Sequence, residues 1–161
     1  MARLERVASV ETPASAPRYE LRVRGVAETE YAIWQLPAAA TPHVAAPTRV
    51  AGLGGRNLHL VEHRVLKRLA RAGVKLGSPA RRMTRGYALT EDLALTLGLL
   101  FRALAPMRSR DNMRAVAEGI EAMGREEAAY WLGMAMHRPR PRRVLTALRT
   151  LLTEPRPHGG R

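Results

Sequence analysis

The sequence predicts an α+β protein: an N-terminal β-hairpin or small antiparallel sheet packed on a bundle of about five α-helices. Three observations lead there. Residues 19–24 alternate apolar and polar side chains with a period of two and 29–36 are rich in β-branched and aromatic residues, whereas residues 57–153 repeat apolar positions at three- and four-residue steps. The 161 residues, with no cysteine, suffice for one hydrophobic core and not for two large ones. The chain therefore divides into a flexible tail at 1–17, a single domain at 18–153 and a second tail at 154–161. Within the domain, 18–56 is strand-rich and 57–153 is helical and basic.

Each element has a local reason. Residues 1–17 mix small, charged and proline residues without a period, so they cannot bury enough apolar surface to offset the entropy of ordering. Tyr19, Leu21 and Val23 then point one way while Glu20, Arg22 and Arg24 point the other, as on a half-buried strand. After a turn at 25–28, residues 29–36 (TEYAIWQL) carry the β-branched and aromatic side chains of a hairpin partner, which Pro37 ends. Residues 37–47 hold three prolines and no charge and form an extended connector. A third strand at 48–53 stops at Gly54 and Gly55.

The helices follow. Asn57 is placed to cap a helix over 58–72 whose apolar stripe is Leu58, Val61, Val65 and Leu69, ending at Gly73. Residues 74–89 are basic and broken by Gly77, Pro79 and Gly86, with short strand pieces expected at 74–76 and 87–89. Thr90 caps a helix to about Ala105, with Glu91 and Asp92 at its positive end and so many apolar residues that it must be central. Asp111 is the expected cap of a helix over 112–123, Glu126 and Glu127 open another that runs to His137, and Pro141 opens the last, 141–153.

Composition excludes several classes. Without cysteine there is no disulfide framework, thiolate metal site or thiol nucleophile. The longest near-apolar run, Leu93 to Phe101, has 9 residues, about half of the ~20 that span a bilayer. Arg3, Glu5, Arg6 and Glu11 interrupt the N-terminus where a secretory signal would be apolar, so a cytoplasmic location without membrane contact is expected.

Lys and Arg number 27 against 14 Asp and Glu, and 25 of the 27 are Arg, a usage that a G+C-rich coding bias also produces. The distribution is more telling: net charge is +2 over 1–56 and +11 over 57–161. Arg64, Arg68 and Arg71 lie on one ridge of the 58–72 helix, with Lys67 beside them and Lys75, Arg81, Arg82 and Arg85 beyond. Those eight cations fall within 22 residues that contain no carboxylate. Arg138, Arg140, Arg142 and Arg143 surround the start of the last helix, where cations oppose the dipole and an anion relieves the conflict. Both clusters are candidates for nucleic-acid phosphates, against the plainer reading of a solvated Arg-rich surface.

Other chemistry is weaker. His59-Leu60-Val61-Glu62-His63 resembles the H-x-x-E-H motif of inverted zinc peptidases, in which two imidazoles on one helical face bind zinc and the glutamate polarises water. It supports a zinc-dependent hydrolase as the alternative function, with Glu121, Glu126 or Glu127 as third ligand. The competing reading places both histidines on the helix's polar face, and no catalytic residue, metal or cofactor is expected. Gly52, Gly54 and Gly55 lack the spacing of a nucleotide-binding loop, and no serine sits in a nucleophile elbow.

With seven aromatics no stacking platform for single strands is expected, and Glu126 and Glu127 would lead a recognition helix into phosphate, so sequence-specific readout is disfavoured. Tyr31 and Trp34 face opposite sides of their strand, so one of them is a candidate protein-partner anchor once the other enters the core. The hairpin is also expected to present an open edge to a partner.

Arg49-Val50-Ala51-Gly52-Leu53 through Val61-Glu62-His63-Arg64-Val65-Leu66, and Ala129-Tyr130-Trp131-Leu132-Gly133-Met134 followed by Arg142-Arg143-Val144-Leu145, resemble an uncharacterised bacterial domain family of unknown function. The resemblance covers most of 18–153. It implies no activity, cofactor or catalytic residue; a setting beside phage-defence genes, which the resemblance also suggests, decides nothing about the role, and the basic clusters are what lead to an accessory subunit in a bacterial defence or nucleic-acid-processing complex. The expected function is accordingly a non-enzymatic accessory subunit that binds nucleic-acid backbone, a partner protein, or both.

Overall fold

The computed structural model describes residues 18–25, 29–37, 46–77, 83–137 and 141–154. The expected tail at 1–17, residues 155–161 of the tail expected at 154–161, residues 26–28 of the turn expected at 25–28 and residues 38–45 of the connector expected at 37–47 lie outside the described residues. In chain order come strands β1 (Arg18–Gly25), β2 (Thr29–Leu36) and β3 (Thr48–Gly54), helix α1 (Gly55–Arg71), strand β4 (Met83–Leu89), and helices α2 (Glu91–Leu104), α3 (Arg110–Glu121), α4 (Arg125–His137) and α5 (Pro141–Thr153). The α+β class is as the periodicities indicated.

The strands form one antiparallel sheet in the order β3-β2-β1-β4. Alternation buries Leu21, Val23, Tyr31, Ile33, Ala51 and Leu53 on one face, with Leu21 opposite Ile33 and Tyr31 between Val23 and Leu53. Helices α1 and α2 pack against that face. The hairpin is the middle of the sheet: β3 pairs with the outer side of β2, and β4 with the outer side of β1. The expectation that the hairpin offers a free edge is therefore corrected, since both its outer ladders are occupied.

Strand β4 is longer than the fragment expected at 87–89, and 74–76 is not a strand. Gly86 hides the strand pattern in sequence. It lies opposite Arg22, and a Cβ there would collide with the Glu20 carboxylate. Residues 74–77 instead finish α1: Gly73 takes a positive φ of 82°, Val74 N–H donates to Leu69 O at 2.9 Å, and Gly77 N–H donates to the Tyr87 hydroxyl at 3.0 Å. Helix α1 starts at Gly55, directly from β3 and ahead of Asn57, and Gly54 at its N-cap provides no side-chain bond.

Helix α2 is the hub, touching β1, β2, β3, α3, α4 and α5. Gly98 sits where a Cβ would come within 3.2 Å of both Leu132 of α4 and Val50 of β3, so its missing side chain lets helix and sheet close on α2 from two sides. Thr90 accepts from Leu93 N–H at 3.3 Å, and Glu91 and Asp92 in the first turn both pair with Arg125 at the start of α4. Thr90→Ala is expected to cost about 1 kcal/mol in urea unfolding by freeing that donor. In α3 the cap is Ser109, which accepts from Asn112 N–H at 3.3 Å; Asp111 sits inside the first turn, where its charge favours the helix dipole without capping.

Candidate nucleic-acid interface

Helix α1 buries Val61, Val65 and Leu69 and turns Arg64, Lys67, Arg68 and Arg71 outward. These four line a cleft of about 170 Å³, with Glu121 of α3 as the remaining wall. Arg64 is committed to the fold: its Nη1 donates to Glu121 Oε1 at 3.0 Å, and its Nη2 lies 3.8 Å from Glu118 Oε2. That pair ties α1 to α3. Lys67, Arg68 and Arg71 form no ion pair among the described residues. Arg68 and Arg71 occupy the last turn of α1, where the helix dipole favours a cation even without a ligand.

The neighbouring basic residues extend the ridge in part. Lys75 is exposed just beyond the helix, and Arg85 of β4 carries its guanidinium beside Gly77. The hydrogen bond from Gly77 N–H to the Tyr87 hydroxyl sets residues 74–77 against β4 and so brings together positions ten residues apart in sequence. Arg142 and Arg143 are exposed in the first turn of α5. Arg81, Arg82, Arg138 and Arg140 lie outside the described residues.

Much of the remaining arginine is structural. Arg102 Nε donates to Val50 O at 2.7 Å, Arg149 Nη1 to Ala103 O at 3.1 Å, and Arg18 Nη2 to Pro37 O at 3.3 Å. Burial lowers the Arg102 and Arg149 pKa values, and nearby Arg49 lowers that of Arg102 further. Net charge alone therefore overstates the cations available to a ligand, and the α1 ridge stands out because Lys67, Arg68 and Arg71, unlike Arg64, have no such duty among the described residues.

A family model described as Domain of unknown function (DUF7680) matches residues 19–154. The chain belongs to this family. No curated protein and no solved structure matches it. All the stretches that carried the resemblance in sequence fall within the DUF7680 match, which takes in the sheet except for Arg18, the α1 ridge and all five described helices.

In this DUF7680 domain Glu62 of the H-x-x-E-H run is half-buried and accepts a hydrogen bond from the Tyr31 hydroxyl at 3.3 Å, while His63 is exposed. The side chain of His59 lies outside the described residues. Among the described residues no group of three or more His, Asp or Glu is placed to hold a metal ion. Glu121 is paired with Arg64, and Glu126 and Glu127 are exposed at the start of α4.

Burial, then the Glu62 charge and hydrogen bond, push the Tyr31 pKa up to about 12. The folded state holds that proton where the unfolded state, with a phenol near pH 10, releases it. This stabilising contribution is complete below about pH 10 and is lost as pH rises toward about 12, by up to about 1.4 kcal/mol per pH unit. Tyr31→Phe is expected to flatten that part of the profile in urea unfolding between about pH 9 and about pH 11.5.

The two partner-anchor candidates part company. Tyr31 is only 3% exposed and cannot meet a partner, because its side of β2 faces the helices. Trp34 lies on the opposite face of the sheet, half-buried, with the Arg22 guanidinium 4.8 Å from its ring centroid. Sequence reasoning passed over Tyr130 of α4, 60% exposed and in edge contact with Trp131. The weak apolar segregation along 125–137 was its only signal.

Proposed function

We propose that the protein is a non-enzymatic subunit that holds the phosphate backbone of a nucleic acid along the α1 ridge, independently of base sequence. The observation that carries this is that Lys67, Arg68 and Arg71, which form no ion pair among the described residues, line one cleft with Arg64 fixed beside them. A polyanion satisfies several such cations at once and releases condensed counterions, which is favourable at low salt. Lys75 and Arg85 continue the positive surface past the helix end, and Arg142 and Arg143 add a second anchoring point at the start of α5. An accessory role within a defence or nucleic-acid-processing complex in the cytoplasm suits a basic binding surface of this kind.

Titrating short mixed-sequence DNA and RNA duplexes against the full chain over a range of salt concentrations tests this. The expected result is affinity that falls linearly on a log–log plot, with little dependence on sequence. No retention of either duplex at low ionic strength would overturn the reading.

A further inference from the structure

The face of the sheet turned away from α1 and α2 is built around Trp34. In register, Trp34 has Glu20 of β1 on one side and Arg49 of β3 on the other. Arg22 stacks on the indole and is steadied by Glu20, its Nε 2.7 Å from Oε1. Around this stack the side chains are small or absent: Ala32 neighbours it on β2, Gly52 lies opposite Ala32, and Gly86 and Ala88 lie opposite Arg22 and Glu20. The result is a shallow pocket of about 310 Å³ whose walls include Arg22, Arg24, Glu30, Trp34, Arg49 and Thr84. That volume is at the lower end of the range for small-ligand sites, about 300–1,000 Å³.

Arg49 is on this face only because β3 is bulged. A regular strand would place Arg49 on the core side with Ala51 and turn Val50 outward. The pairing jumps from Ile33–Ala51 to Trp34–Arg49, leaving Val50 without a partner. Val50 is consequently 2% exposed, with its Cγ1 near Gly98 of α2, and Arg49 crosses to the outer face and lies over Gly52. Any Cβ at Gly52 would collide with that guanidinium. Arg102 bonds the carbonyl of the bulged residue. Bulge, glycine and Arg102 together direct a cation beside an aromatic ring, a re-aiming for which bulges near functional sites are known.

We propose that this face binds a nucleotide of a single-stranded nucleic acid, its base stacked on the Arg22–Trp34 pair and its phosphate held by Arg24 and Arg49. Bases stack on both indole and guanidinium planes, and single strands expose them. Glu30, opposite Arg24 in the ladder, can accept from a base amino group, a contact that a bare phosphate cannot make. This deepens the reading of the α1 ridge and rests on its ligand class, adding a site for unpaired nucleotides to a surface for backbone.

The test uses the full chain carrying Trp131→Phe, which leaves Trp34 as its one indole. A single-stranded oligodeoxyadenylate of about ten nucleotides is expected to quench its fluorescence saturably through base stacking, and a duplex of the same length to quench it far less. Arg24→Ala with Arg49→Ala should raise the single-strand Kd by at least about tenfold. Trp34→Phe in the otherwise unaltered chain should abolish the quenching, which supplies the same answer if Trp131→Phe fails to fold. With Lys67, Arg68 and Arg71 all changed to Glu, duplex binding should disappear while single strands still quench Trp34. Loss of quenching in that variant would assign the signal to the ridge and overturn the proposal. Equal quenching by adenosine monophosphate would replace it with a free-nucleotide site, and no quenching by any single strand would also overturn it. Duplex binding absent with Trp34 quenching intact would remove the ridge reading alone.

Discussion

Replacing Lys67, Arg68 and Arg71 together by alanine is expected to weaken duplex binding by roughly 10²–10³-fold at about 0.1 M salt, because each phosphate contact contributes about 0.9 to the salt slope. The slope itself should flatten by nearly three, which separates lost contacts from a general loss of folded protein. Alanine suits the helix interior. None of the three residues makes an ion pair among the described residues, so the fold should lose only the favourable end charges of Arg68 and Arg71. That loss is about 0.3–1 kcal/mol for each. Arg64 is left in place because removing it would unpair Glu121 and loosen α1 from α3, mixing stability with binding. An unchanged salt slope in the triple variant would exclude the ridge as the contact surface.

The largest effect on stability is expected from Phe101→Ala. Phe101 is 0% exposed and lies in α2, whose neighbours are three strands and the three helices that follow it. Truncating a fully buried aromatic removes its transfer free energy and leaves a cavity, about 3–5 kcal/mol in total. A domain of this size has only about 5–15 kcal/mol to lose. Chemical unfolding should therefore show a much lower midpoint, and at the upper end of the cost a largely unfolded chain at physiological temperature. Leu151→Ala on exposed α5 surface is the control, expected to shift stability by about 0.5 kcal/mol or less. A Phe101→Ala loss as small as that of the control would mean that α2 is not the centre of the core.

How much could be read beforehand depended on the range of the deciding interactions. The β1 alternation, the β-branched and aromatic run of β2, the Val61, Val65 and Leu69 stripe of α1, the Thr90 cap and the Pro141 start are local patterns, and each stands where its own residues put it. Ser109 rather than Asp111 capping α3 is a shift of two residues between similar capping groups. Strand β4 was only partly legible, because Gly86 breaks its pattern and the missing Cβ serves a cross-strand neighbour, Glu20. The ridge cations were visible as a run of charge, whereas their freedom was not: whether an arginine is spent on Glu121, Val50 O or Ala103 O is settled by residues dozens of positions away. Membership of the DUF7680 family accords with the resemblance and leaves the activity to these tests.

By itself the sequence determined the α+β class, the order of helices and the unbroken run of positive charge over 64–85, since each follows from side-chain period or composition within a short window. Only the tertiary structure decided which faces those groups occupy. A single unpaired residue in β3 reverses the side on which Arg49 emerges, and the β4 ladder turns the hairpin from an edge into a centre. Period-two geometry makes every outward position hostage to register, and register is set by pairing with distant strands.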